Sequence, residues 1–280
     1  MPYDHFTWRA TVTATSSIAH GGEALGAVTY LRRERFLSPE GIVDIPIISG
    51  NAWRGLLRRT AADLWWEAAG RPKLTTAVMH AIWSGGALAK ASGTPITGGR
   101  VQEVRRVCPV VALFGASGGG RILDGAIQVG KMVPICDATL PVVPDSAKPD
   151  GHVPSLWDVT QIEYFSKIPS VLEHRDSVIE ESADNEPLPP ARFGVETFLA
   201  GTRFSTWLSG DWLTDSEMSL LVETLRHYGS NARVGGYQRM GMGQISFQWD
   251  DDPLNDSVDD WRSSLPKITS EEMGILAWLD

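Results

Sequence analysis

Residues 45–70 read IPIISGNAWRGLLRRTAADLWWEAAG and join a short apolar strand to a long helix. A helix is predicted over 51–69, because apolar residues recur there at helical spacing and form one stripe. Ser49 is a residue type favoured at the N-cap, and Gly70 ends the pattern. The residues of the stripe are Trp53, Leu56, Leu57, Ala61, Leu64, Trp65 and Ala68.

The chain around this unit predicts five further elements. Residues 6–15, FTWRATVTAT, alternate apolar and polar side chains, which is typical of a half-buried strand. Thr214 and Glu217 form a capping box that opens a second helix. Strands are also predicted at 121–136 and 243–249, and residues 193–209 are expected to form a strand or a hairpin. The resulting order, strand, helix, strand, strand, helix, strand, predicts an α+β fold with a ferredoxin-like, RRM-like βαββαβ core.

These elements predict one domain over residues 1–249 with two insertions. Residues 73–120 are expected to be a helical and glycine-rich insertion, and residues 137–192 a long proline-rich one. Residues 16–44 are expected to form a long loop, and a connection of this length is usually functional or disordered. Residues 250–280 hold nine acidic and two basic side chains and are predicted to be an acidic C-terminal tail.

The charge is distributed unevenly along the chain. Its net charge is −9, yet residues 1–121 carry 14 basic and 8 acidic side chains. A basic half on an acidic chain fits a protein that binds a polyanion on one face, although ordinary surface variation also gives such a difference. With two separated cysteines, no apolar run of 18 residues and no signal peptide, the sequence predicts a cytoplasmic protein without membrane spans.

The start of the first helix is the first candidate site. Ser49, Gly50 and Asn51 precede exposed backbone N–H groups, which attract anions at a helix N-terminus. Arg54 and Arg58 lie one turn apart and are expected to reach neighbouring phosphates. A routine N-cap with solvated arginines is the alternative interpretation.

The connection before the last strand is the second candidate site. Four glycines fall within residues 235–243, and such a loop can turn its N–H groups toward an anion. Arg233 and Arg239 add positive charge, and Tyr237 has a ring on which a base can stack. Gly235 and Gly236 do not belong to a Rossmann fingerprint, because a helix precedes this loop and a strand follows it.

Catalytic and metal chemistry finds little support in the sequence. The six histidines are scattered, and with two distant cysteines there is no zinc spacing, so neither metal nor cofactor is expected. His20, beside Gly21 and Gly22, is the one place where acid–base chemistry is conceivable. A phosphate contact or a structural role is the commoner use of such a histidine.

Taken together, these segments resemble the RAMP superfamily of CRISPR-associated proteins, and within it the backbone subunit that polymerises along guide RNA. The resemblance covers most of residues 5–249 and depends on the order of its motifs. The motifs are Ala19-His20-Gly21-Gly22, the stretch from Ile45 to Arg58, the Cys108 to Gly115 segment, Ala200 to Phe204, and the glycine-rich loop.

The resemblance implies a palm that binds guide-RNA phosphates and an inserted thumb, for which residues 137–192 are in the right place. It also implies head-to-tail stacking with copies of the chain, other CRISPR effector subunits as partners, and target nucleic acid paired with the guide. Under it, the expected RNA-binding residues are His20, Gly21, Gly22, Ser49, Gly50, Asn51, Arg54, Arg58, Arg233, Gly235, Gly236, Tyr237 and Arg239.

One departure from the family favours a non-catalytic subunit. Type III backbone subunits cut target RNA with an aspartate at a position that Val28 occupies here, and the chain looks closer to type IV subunits. Two alternatives stay open. One is an endoribonuclease of the same superfamily that cleaves target RNA or processes the guide, with His20 or Glu23 as its base. The other is an enzyme that binds a small phosphate compound at the same two sites.

Overall fold

The computed structural model describes residues 3–38, 41–86, 98–118, 121–167, 191–255 and 260–279. Within these ranges the chain is a mixed α and β protein with mainly antiparallel sheets and six α-helices. The helices are α1 (Gly50–Ala68), α2 (Thr76–Ser84), α3 (Gly98–Val107), α4 (Pro109–Phe114), α5 (Asp215–Gly229) and α6 (Ser270–Leu276).

The main sheet follows the order β13-β1-β12-β8, and β9 also pairs with β12. Every pairing in it is antiparallel. Trp8 and Val12 on β1 face a single large core into which α1 and α5 pack. The strands are β1 (Tyr3–Ala14), β8 (Ile127–Val129), β9 (Val133–Pro134), β12 (Arg203–Leu213) and β13 (Ile245–Trp249).

The predicted strand at 6–15, the helix at 51–69, the helix opened by Thr214 and the last strand are all confirmed as elements. Thr214 and Glu217 make both hydrogen bonds of the capping box. These elements share a strong local pattern that agrees with their burial, which is why their sequences predict them well.

The prediction of a long loop over 16–44 is wrong. These residues form four short strands, of which two belong to a second sheet with the order β10-β11-β3-β2. Most of their side chains are exposed or half-buried, so the sequence carries no alternation that marks a buried face. The strands are β2 (Gly21–Leu25), β3 (Val28–Leu31), β4 (Arg33–Ser38), β5 (Gly41–Pro46), β10 (Thr160–Lys167) and β11 (Ala191–Phe198).

Residues 193–209, predicted as a strand or a hairpin, form two strands that lie in different sheets. β11 ends at Phe198, the chain turns at Gly201 with a φ of 91°, and β12 begins at Arg203 in the main sheet. The strand predicted over 121–136 is likewise interrupted, and it contains β7 (Arg121–Leu123), β8 and β9. β7 pairs with β6 (Ala116–Gly118).

The two predicted insertions have the following described structure. Residues 73–120 hold α2, α3, α4 and β6. In 137–192, the residues before β10 form short 3₁₀ turns beside a small core of Ile135, Val143 and Ala147. β10 then pairs along its whole length with β11. The part of the predicted thumb at 168–190 lies outside the described residues.

The expectation of an acidic C-terminal tail is corrected by the packing of residues 260–279. Trp261, Leu276 and Leu279 are buried in the main core, and α6 contacts α3. The many acidic residues predict an acidic tail, but the apolar residues spaced between the carboxylates pack into the core and decide where this segment lies.

Docking of this segment is expected to weaken in acid. Hydrogen bonds from Arg262 and Trp261 lower the pKa of the Glu223 carboxyl, at 2.7 Å from Arg262 Nη1 and 2.5 Å from Trp261 Nε1. A carboxyl with a lowered folded-state pKa stabilises above its unfolded pKa, and this stability is lost as pH falls through the folded one. The weakening of this docking is measured by the hydrogen exchange of residues 261–276 from pH 7 to pH 3. Glu223→Gln should exchange faster at pH 7 and show a flatter pH dependence; an unchanged profile would contradict the assignment.

Candidate nucleic-acid interface

Three segments that are far apart in sequence meet at one end of α1. The imidazole Nε2 of His20 accepts a hydrogen bond from the backbone N–H of Ser49 at 3.2 Å. The preceding residue, Ala19, accepts a hydrogen bond at its carbonyl from the N–H of Gly236 at 2.7 Å. The His-Gly-Gly segment therefore lies between the start of α1 and the glycine-rich loop, and the structure joins residues that the sequence analysis treated as separate sites.

The glycines at this junction serve close packing of backbone on backbone. A Cβ on Gly235 would lie 2.3 Å from the carbonyl oxygen of Ala19, and its φ is 83°. A Cβ on Gly50 would lie 2.4 Å from the carbonyl oxygen of Val129. A side chain at either position would force the segments apart. These two glycines build the junction rather than leave room for a ligand.

His20 is arranged as a hydrogen-bond acceptor. Burial and the nearby Arg32 guanidinium lower the pKa of the imidazole, which favours its neutral form at neutral pH. Its Nε2 then carries the lone pair that receives the Ser49 N–H. This bond fixes the ring against α1 and occupies the nitrogen that a general base would need.

The two predicted phosphate-binding arginines of α1 differ in their environment. Arg58 is buried and donates to the carbonyl oxygens of Ala81, at 3.3 Å, and Phe114. Burial and the neighbouring Arg54 lower the pKa of Arg58 to about 10. Arg54 is half-buried and donates to Phe114 at 2.9 Å. The expectation that Arg58 reaches a phosphate is corrected here, since its donors are directed at internal carbonyls, of which it shares that of Phe114 with Arg54.

A basic cleft lies along the outer side of α1, and we call it the α1 cleft. No carboxylate belongs to the described side chains that line it. Arg59 is exposed and makes no ion pair with any described residue, whereas Arg54 forms the inner wall. Sequence reasoning did not choose Arg59, although its spacing from Arg54 was the available signal. The lining residues are Asn51, Arg54, Gly55, Arg58, Arg59, Trp83 and Ser84.

The glycine-rich loop is braced by its own side chains. Arg233 donates to the carbonyl of Gln238 at 3.0 Å, and Gln238 donates to the carbonyl of Gly235 at 3.0 Å. Arg233 therefore holds the loop in shape, while Arg239 is exposed. Tyr237 adopts a φ of 54°.

Tyr237 connects the loop to the second sheet. Its ring lies parallel to that of Phe165, with centroids 6.4 Å apart, and Phe165 stacks on Phe193 at 5.5 Å. The Tyr237 side chain remains 37% exposed. The column of three rings fixes the base of the β10–β11 pair relative to the loop.

A buried carboxylate ties β11 to the segment that follows the His-Gly-Gly motif. Glu196 accepts the backbone N–H of Leu31 at 2.8 Å and two donors of Arg33, one of them at 2.8 Å. Arg33 lies within residues 16–44, which the sequence predicts to be a loop. Its charge is neutralised by Glu196, so Arg32 contributes more free positive charge to this surface than Arg33 does.

The described residues contain no group of three or more His, Cys, Asp or Glu side chains that could hold a metal ion. No helix in the described ranges combines the length and apolar character that a membrane crossing requires.

The comparisons with known proteins give matches among solved structures. No family model matches the sequence, and no curated protein matches it. A solved structure titled "Type IV-B CRISPR Complex" contains a chain that is 26% identical and superposes with a TM-score of 0.62. The alignment covers 90% of this chain and 94% of that one. Similarity over nearly the full length of both chains supports the assignment of this protein as a subunit of a CRISPR effector complex.

Proposed function

We propose that the protein is a non-catalytic backbone subunit of a CRISPR ribonucleoprotein effector, related to type IV, that binds the phosphates of the guide RNA. The observation that carries the proposal is the α1 cleft. Its lining brings Arg54 and Arg59 together without a carboxylate to neutralise them. Positive charge of this kind, beside a helix N-terminus, favours a phosphate backbone over a neutral ligand.

The strand order supports a ferredoxin-like, RAMP-type palm. Numbered by position in a βαββαβ core, the sheet β13-β1-β12-β8 has the order 4-1-3-2, with α1 and α5 as the two helices. β10 and β11 extend from this palm toward the predicted thumb. In the proposed filament, copies of the chain stack head to tail on the guide, other effector subunits complete the complex, and the guide pairs with target nucleic acid.

The non-catalytic part of the proposal depends on two residues. His20 accepts a hydrogen bond from Ser49 and has a lowered pKa from burial, so it is poorly placed to take a proton from RNA. Val28 occupies the position at which type III subunits carry their cleaving aspartate. The proposal predicts that a labelled RNA incubated with the protein and Mg²⁺ remains intact.

The double substitution Arg54→Ala with Arg59→Ala is expected to weaken RNA binding and reduce its salt dependence. Each phosphate contact to single-stranded nucleic acid contributes about 0.7 to the slope of log K against log salt, so losing two lowers the slope by about 1.4. Fluorescence anisotropy of labelled single-stranded RNA, between about 50 and 200 mM salt, measures both quantities.

Arg100→Ala is the control, because it removes one exposed positive charge from α3, at a residue that does not line the cleft and pairs with Glu103. If both variants keep the wild-type slope, the α1 cleft does not bind phosphate and the proposal fails. If Arg100→Ala lowers the slope as much as the loss of one cleft arginine, the binding is diffuse and not localised in the cleft.

A further inference from the structure

An aromatic pocket adjoins the α1 cleft between the end of α1 and the start of α2. We call it the Trp66–Trp83 pocket, after the two indoles that meet edge to face with centroids 6.5 Å apart. Leu74 and Met79 complete the apolar lining, and Asp63 and His80 stand at its rim. Met79 is 44% exposed, so an apolar surface that a folded core would normally cover is open here.

Both indoles are held in fixed positions. Trp83 Nε1 donates to Asp63 at 2.8 Å, and Trp66 Nε1 donates to the carbonyl oxygen of Pro72 at 3.1 Å. With their polar atoms satisfied inside the protein, the rings offer flat apolar surface to a ligand and lose little conformational entropy when one binds.

The acidic groups near the pocket are already engaged. Asp63 accepts the Trp83 indole, and Glu67 pairs with Arg71 at 3.0 Å. Arg71 also lies over the Trp66 ring at 5.6 Å from its centroid. Arg71 therefore neutralises Glu67, whereas the Asp63 carboxylate accepts a neutral indole N–H and keeps its negative charge at the rim, one helical turn after the cationic Arg59 on α1.

The pocket is continuous with the cleft. Trp83 and Ser84 line both of them. Arg59 and Trp66 lie seven residues apart on α1, about 10 Å along the helix axis. A strand whose phosphates follow the arginines would bring a base to the indoles, and flat aromatic surface beside a basic groove is how single-stranded nucleic acids are bound without sequence preference.

We propose that the Trp66–Trp83 pocket holds one unpaired nucleobase of the RNA strand whose phosphates occupy the α1 cleft. This inference rests on the proposed function and adds to it a base site outside the glycine-rich loop. Recognition depends on stacking, so the site accepts any base and favours purines, which have the larger rings. The polar atoms of His80 and Ser84 can meet the edge of the base without fixing its identity.

Trp83→Leu is expected to weaken binding of a labelled oligoadenylate by about 5- to 150-fold, the range expected for one stacked base. The salt slope should stay that of the wild type, because no phosphate contact is lost. Trp157→Leu is the matched control, since Trp157 is 83% exposed and lies outside the pocket. A strand of the same length made of abasic nucleotides should bind wild type and Trp83→Leu equally.

Met79→Ala provides a second variant at an exposed position that carries little risk to folding, and it should show a smaller loss with the same pattern. Equal binding of oligoadenylate by wild type and both variants would overturn the proposal. So would an equal loss on the abasic strand, because the indole would then shape the cleft and not hold a base. Unchanged RNA binding with weakened self-association on size exclusion would make the pocket a protein contact instead.

Failure of the base pocket can be distinguished from failure of the proposed function. If Arg54→Ala with Arg59→Ala loses RNA while Trp83→Leu does not, the phosphate site stands and the base pocket is wrong. If the wild type binds neither strand, both proposals fall together.

Discussion

Gly235→Ala is expected to disrupt the junction at the end of α1 and, with it, RNA binding. The substitution combines two costs. A residue with a side chain at a φ of 83° loses about 1–2 kcal/mol, and overpacking against the Ala19 carbonyl, 2.3 Å from the new Cβ, costs about 1–3 kcal/mol more. Thermal or denaturant unfolding measures the sum, and anisotropy with single-stranded RNA measures the loss of the site.

Gly241→Ala separates these costs. Gly241 has a φ of 85°, but a Cβ there would meet nothing within 4 Å. It should show the conformational cost alone and keep RNA binding close to that of the wild type. Equal destabilisation by the two substitutions would mean that the contact between the glycine-rich loop and the His-Gly-Gly segment contributes nothing to stability.

Glu196→Ala should destabilise the second sheet by about 2–4 kcal/mol. The loss leaves the Leu31 N–H without its acceptor in a buried place and removes the partner of the Arg33 guanidinium. Because Glu196 lies on β11 and Leu31 ends β3, the effect should be local to these strands. Hydrogen exchange of β2, β3 and β11 reports it, beside the free energy of unfolding.

Asp44→Ala is the control for an exposed ion pair. Asp44 lies 3.8 Å from Arg35, and both side chains are more than half exposed. Such a pair contributes about 0–1 kcal/mol, so its removal should leave exchange in the second sheet unchanged. A loss for Glu196→Ala no larger than for Asp44→Ala would show that the carboxylate does not hold the two strands together.

Sequence patterns predicted the elements whose burial is local and periodic. The alternation from Phe6 to Thr15 and the apolar stripe of α1 appear in the structure as a core strand and a core helix. β2 to β5 were missed because their exposed side chains give no such signal, and because β3 pairs with β11, which lies more than 120 residues away. A pairing between strands so far apart in sequence cannot be detected from a pattern within a short stretch of residues.

The candidate site was predicted in part for the same reason. The motifs at His20, Ser49 and Gly235 were identified singly, yet their contact is a result of tertiary packing. Arg58 lies off the apolar stripe, and for this reason the sequence predicts it on the surface within reach of a phosphate. In the fold, α2 and α4 cover that side of α1, so burial of Arg58 follows from helices contributed by the insertion. Trp66 and Trp83 lie in predicted helical segments, and no sequence pattern indicates that they line a pocket. Their role becomes visible only from their position beside the α1 cleft in the fold.

The central place of β1 in the main sheet has a consequence for biosynthesis. β1 pairs only with β12 and β13 among the described strands, and both follow residue 200. During translation, β1 cannot form its hydrogen bonds to these strands until most of the chain has left the ribosome. Such distant pairing slows folding, and an unpaired strand is a template for aggregation. Slower growth at reduced temperature should therefore raise the yield of well-folded protein, and chaperones that shield the unpaired strand should have the same effect.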